Sequence, residues 1–135
     1  MRKLLSTSYT TFSFNTAMLL LRFALGILMI VHGYDKLVHF NAYRANFYNF
    51  LHLGQTASLS LSIFAEFFCA LFLMIGLFTR LTVIPLIINM IVAVFLVHNS
   101  DFFGQGEKAT LFLAGFLTVL LLGPGKASVD GIMGK

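Results

Sequence analysis

The chain has 135 residues, a length that suits one domain. It is 59% hydrophobic and only 10% charged, with a mean hydropathy of +0.91. Soluble domains are about 45–50% apolar and about 25% charged, so the composition excludes an ordinary soluble protein and points to an integral membrane protein.

The net charge of +4 comes from scattered basic residues, with no basic run or face that would suit a nucleic acid. The single cysteine, Cys69, leaves no intrachain disulfide, CxxC pair or thiolate metal site. A metalloenzyme spacing such as His-Glu-x-x-His is absent, and no nucleophile–base–orienter set is visible. The chain therefore carries no self-sufficient catalytic motif.

Residues 1–15 read as a short tail or interfacial segment. Arg2 and Lys3 resemble the start of a signal peptide. The apolar run that follows contains Arg22 and lacks a small-x-small cleavage site, so an uncleaved first span over about 16–34 is expected. Arg22, Gly26, Met29 and Gly33 fall on one face of it, and the two glycines allow a neighbouring helix to approach that face. The span is expected to end in His32-Gly33-Tyr34-Asp35-Lys36.

Residues 37–56 are too short and too polar to cross a bilayer. Phe40, Tyr43, Phe47 and Phe50 recur at roughly helical intervals, which predicts a short interfacial helix between the first and second spans. The second span covers about 57–78. Ser58, Ser62, Glu66 and Cys69/Ala70 form a polar-to-small stripe along it. A tight turn at Thr79-Arg80 leads to a third span over about 81–97, and a short fourth span over about 109–122 stops at Gly123-Pro124-Gly125. The tail from Lys126 to Asp130 reads as polar. The expected fold is all-α, a single four-helix membrane bundle over residues 1–135. The positive-inside rule places both termini in the cytoplasm, because Arg2, Lys3, Arg80, Lys126 and Lys135 share one side.

Glu66 is the residue that most demands an explanation. A carboxylate inside an apolar span needs a partner or a function, and intramembrane ionisable residues are functional candidates by default. At ~1.5 Å rise per residue, Arg22 lies roughly 9 Å and Glu66 roughly 18 Å from the cytoplasmic ends of their spans, which permits a stretched Arg22–Glu66 pair. His32 and His98 share a depth nearer the other face. Asn89 and His98, nine residues apart, fall on opposite faces of a regular helix, so they are not expected to line one cavity.

Four stretches together resemble the DoxX family of small bacterial four-helix membrane proteins. They are Leu20-Leu21-Arg22-Phe23-Ala24-Leu25-Gly26 running into His32-Gly33-Tyr34-Asp35-Lys36-Leu37, Ala65-Glu66 through Gly76-Leu77-Phe78-Thr79-Arg80, Ala93-Val94-Phe95-Leu96-Val97-His98, and Glu107 with Gly123-Pro124-Gly125-Lys126-Ala127-Ser128-Val129-Asp130. The resemblance implies a place in the bacterial inner membrane and a link to redox work, since the family takes its name from a subunit tied to quinone reduction. It implies a subunit of a quinone-linked oxidoreductase, with Glu66 as proton acceptor and Arg22, His32, Lys36, Arg80 and His98 as ligand-binding residues. The expected partners are the lipid bilayer, other membrane or redox subunits and a further copy of the chain. The alternative is a non-catalytic scaffold, assembly partner or small-solute carrier in which Arg22–Glu66 is a structural ion pair.

Overall fold

The computed structural model describes residues 4–134, so Arg2, Lys3 and Lys135, which bear on orientation, lie outside the described residues. Among the described residues, besides a single 3-10 turn at Phe50–His52, six helices follow one another: α1 (Thr11–Val38), α2 (Phe40–Asn46), α3 (Gln55–Ile75), α4 (Thr79–Val97), α5 (Glu107–Leu122) and the short α6 (Val129–Ile132). No strand occurs among the described residues.

Three helices, α1, α3 and α4, are long and apolar enough to cross a membrane. α5 has 16 residues, about 24 Å of helix, short of a typical hydrocarbon core of about 30 Å.

α1 is longer than expected at both ends. Thr10 caps it by accepting a hydrogen bond from the Ser13 amide at 3.1 Å, which starts the helix five residues before the expected boundary. It continues past Gly33 to Val38 and so carries Lys36 in its last turn. Gly33 is a packing position, not a helix end. A Cβ there would lie 2.8 Å from the Glu66 carbonyl carbon and the Phe67 nitrogen, so only glycine lets α1 and α3 meet so closely.

Between α1 and α3, the expected single helix is two pieces. α2 buries no residue, and Leu51 in the following turn (Phe50–His52) has a left-handed backbone.

α3 and α4 form a hairpin. α3 ends at Gly76 in the left-handed region (φ +76°), which favours glycine, and α4 begins after the left-handed Phe78. Both helices contain a widened π-helical turn, Phe64–Cys69 in α3 and Val92–Val97 in α4. Pro85 also sits inside α4. The core between the helices is apolar, with Leu59, Leu73, Val83, Leu86, Val94, Phe116 and Val119 fully buried. α5 ends at Gly123, where the Gly-Pro-Gly signal predicted a stop.

Candidate functional site

The buried polar residues divide between two ends of the molecule. Ser58, Ser62 and Glu66 are buried towards the start of α3, while Arg22, Thr79, Thr82, Ser128 and Asp130 are buried near the α3–α4 turn. α1 and α3 run antiparallel, so Gly26 faces Ala70 and Met74, and Gly33 faces Glu66. Continuing that register puts Lys36 beside Ser62 and Glu66, and Arg22 beside Met74 and Gly76. Lys36 and Arg22 are separated by about 21 Å of helix.

This register overturns the expected Arg22–Glu66 pair. The carboxylate of Glu66 is 4% exposed and is held by Lys36, whose ammonium lies 2.6 Å from both Oε1 and Oε2. Asn89 donates a further hydrogen bond to Oε1 at 3.0 Å, and Ser62 Oγ lies 3.5 Å from the ammonium. The ammonium also sits 5.9 Å from the centroid of the Phe47 ring, a cation–π contact.

Arg22 is instead part of a separate knot. It is 1% exposed and donates to the Met74 carbonyl at 3.1 Å and to the Ala127 carbonyl. Asp130, expected in a polar tail, is buried. Its carboxylate accepts from the Phe78 amide at 2.9 Å and from the Thr79 amide and hydroxyl at 2.8 Å. It thereby caps the N-terminus of α4, where a negative charge is favoured by the exposed amides. The Asp130 amide closes the knot by donating to Gly76 O at 2.9 Å.

A cavity of about 620 Å³ adjoins the Lys36–Glu66 pair. Its polar wall is Lys36, Ser58, Ser62, Glu66 and Asn89, and its aromatic wall includes Tyr43, Phe47, Tyr48 and Phe50 from the segment after α1. His98 also lines it, alongside Asn89. The sequence placed these two on opposite faces, because nine residues of regular helix rotate by about 180° from one to the other. The π-helical turn between them adds about one residue and takes back about 100° of rotation, bringing both towards one side.

The other expected site residues lie elsewhere. His32 is half-buried and packs edge-on against Phe112 at 6.1 Å between ring centroids. Arg80 is exposed at the opposite end, on a second cavity of about 710 Å³ with Lys126 and the Gly123–Gly125 turn. Three of the six expected site residues thus meet at one cavity: Lys36, Glu66 and His98. Asn89 is the missed member of the set. An amide in an otherwise apolar helix was its visible signal, and only the register of α4 against α3 shows its partner. Among the described residues, no group of three or more His, Cys, Asp or Glu side chains could hold a metal ion.

Beside the aromatic wall of the cavity, the Tyr43 hydroxyl donates to Asp35 Oδ2, and His39 Nδ1 lies 3.1 Å from Asp35 Oδ1. The hydrogen bond to Asp35 holds the Tyr43 phenol above the usual tyrosine range, and desolvation together with the charges of Asp35 and Glu66 acts in the same direction.

No curated protein and no solved structure matches the chain. The family model described as DoxX matches residues 17–99, which take in most of α1 and all of α2 to α4, with Lys36, Glu66, Asn89 and His98. With well over half of its length matched, and in the stretch that builds the cavity, the chain belongs to the DoxX family.

Proposed function

We propose that the protein is a multi-pass subunit of a quinone-linked oxidoreductase system in the bacterial inner membrane, and that the cavity beside Lys36 and Glu66 receives the quinone headgroup. On this reading α5 completes a four-helix bundle, α2 lies at the interface, and both termini face the cytoplasm. One observation carries the reading. An ion pair with a buried carboxylate and an amide partner lines a largely apolar cavity of about 620 Å³, within the range of about 300–1,000 Å³ common for small-molecule sites.

The residues fit such a headgroup. Lys36 and Asn89 are donors for ring carbonyl oxygens. Glu66 is the group that would hold or pass a proton, and His98 is a second proton carrier on the same wall. Phe47 and Phe50 offer ring faces for stacking. A bound quinone supplies two-electron, two-proton chemistry, and the electrons come from a partner redox subunit. Arg22, His32 and Arg80 lie away from this cavity and are not assigned to the headgroup.

The test is organic extraction of the detergent-purified protein followed by mass spectrometry. The expected result is quinone retained at near one per chain and lost in Glu66→Gln. A protein free of quinone, or one whose retention is indifferent to Glu66→Gln, would remove the basis for the redox reading.

A second reading is a non-catalytic scaffold. It is favoured by the closed geometry of the Lys36–Glu66 pair, in which both carboxylate oxygens are already engaged. On that reading the pair locks α1 to α3, and replacing both residues by apolar ones leaves assembly with partner subunits intact.

A further inference from the structure

The cavity has a specific open side. α3 and α4 are joined by a tight turn at residues 76–78, and the cavity occupies the fork between their far halves, lined by α3 from Ser58 to Glu66 and by α4 from Pro85 to Val97. α1 closes the back through Lys36, and the segment from Tyr43 to Phe50 closes one end. The residues on the remaining rim are apolar and exposed: Leu61 and Phe64 on α3 are each 50% exposed, and Ile88 and Val97 on α4 are 49% and 45% exposed. Both helices are long and apolar enough to cross a bilayer, so these rim side chains occupy membrane-crossing segments. In lipid, such side chains face acyl chains at no hydrophobic cost.

We infer that the fork between α3 and α4 is a lateral portal from the bilayer, and that the cavity takes a single-chain amphiphile with a net-neutral headgroup. The head sits against Lys36, Glu66 and Asn89, and the tail leaves between Leu61 and Ile88 into lipid. Charge selects the head. Lys36 and Glu66 neutralise one another, so a charged head would add an uncompensated charge in a low-dielectric site. Hydrogen-bonding capacity selects it further. Asn89 uses one N–H of its amide on Glu66, which leaves its second N–H as a donor and its carbonyl oxygen as an acceptor, while the Lys36 ammonium, bonded to both Glu66 oxygens, has only a long 3.5 Å contact to Ser62 for its third hydrogen. A neutral head with both a carbonyl and a hydroxyl matches that wall. The route does not depend on the redox reading, whereas the assignment of the head to a quinone rests on it.

The chain contains no tryptophan, so one introduced residue reports its own surroundings. In vesicles of phosphatidylcholine brominated on the acyl chains, Leu61→Trp and Ile88→Trp should lose as much fluorescence as Leu111→Trp, a control on the exposed face of α5. Quenching of the two portal variants by aqueous acrylamide, with none by brominated lipid, would overturn the portal. In unbrominated vesicles, Phe50→Trp reports the cavity. A brominated monoglyceride should quench it saturably and the corresponding brominated fatty acid should not. Displacement by decylubiquinone supports the quinone assignment as well. Failure of decylubiquinone to displace leaves the portal standing and removes the quinone. No saturable quenching by either the monoglyceride or decylubiquinone overturns the inference itself.

Discussion

The Lys36 ammonium lies 2.6 Å from both carboxylate oxygens of Glu66, while Arg22, fourteen residues nearer the start of α1 than Lys36, points into a different network. The consequence is a separation of duties between two cations, the half-buried Lys36 and the fully buried Arg22. Lys36 balances the carboxylate on the cavity wall. Arg22 bonds to backbone carbonyls of α3 and of the segment before α6, and so ties the C-terminal segment to the helices.

Removing one partner of the Lys36–Glu66 pair should be worse than removing both. The side chains are 19% and 5% exposed, so Lys36→Met leaves a largely desolvated carboxylate with Asn89 as its remaining donor. Breaking a buried pair in this way costs about 3–5 kcal/mol, while replacing both charges by apolar residues is often near neutral. Thermal unfolding in one detergent should rank Lys36→Met below the double variant Lys36→Met with Glu66→Leu. A double variant no more stable than Lys36→Met would show that the pair is not electrostatically coupled as described.

The apolar spans, the stop at Gly123 and the family were legible because each is written in local composition or in contiguous motifs. The partner of Glu66 was not. It depends on where α1 ends, and Gly33-Tyr34 looks like a terminus until α3 is seen packed against that glycine. Asn89 and His98 were assigned to opposite faces for a related reason. A π-helical turn changes the phase of a helix without any distinctive residue to mark it, and Val92–Val97 is as apolar as the turns before it. Asp130 was hidden because its role is set by a contact across more than fifty residues of sequence.

The Asp130 carboxylate caps α4 through three hydrogen bonds from Phe78 and Thr79, so Asp130→Ala should destabilise the protein by at least the ~1–2 kcal/mol of a lost N-cap. The C-terminal segment should also become susceptible to protease. Thr79→Val removes only the hydroxyl contact and should be milder. Limited proteolysis with mass mapping reads this directly; equal protection of residues 124–134 in wild type and Asp130→Ala would refute the tie.

The two glycines of α1 should differ in tolerance. A Cβ at Gly33 meets backbone of Glu66 and Phe67 at 2.8 Å, whereas one at Gly26 meets Met74 Cβ at 3.0 Å and the Ala70 carbonyl at 3.2 Å. Backbone has less room to move, so Gly33→Ala should cost more than the ~1–3 kcal/mol typical of overpacking, and Gly26→Ala should fall within that range. Gly33→Ala should also disturb the cavity, because it pushes on the turn that carries Glu66. Thermal midpoints in the reverse order would mean that the α1–α3 contact is not closest at Gly33.

Tyr43 gives a pH signature on the aromatic wall of the cavity. Its hydroxyl donates to Asp35, and this bond, followed by desolvation and the nearby charges of Asp35 and Glu66, raises its pKa. A group whose pKa is raised on folding contributes stability that is fully present below its unfolded value, about 10 for tyrosine, and is lost as the pH rises through the folded value. The relevant window is therefore alkaline, above the ordinary tyrosine range. The other three tyrosines complicate a direct titration, so the phenolate absorbance of Tyr43→Phe is subtracted from that of the wild type. The difference should titrate later than free tyrosine, and Asp35→Asn should bring it back towards the ordinary range. A difference curve centred near 10 in the wild type would show that the Asp35 contact does not hold the phenol proton.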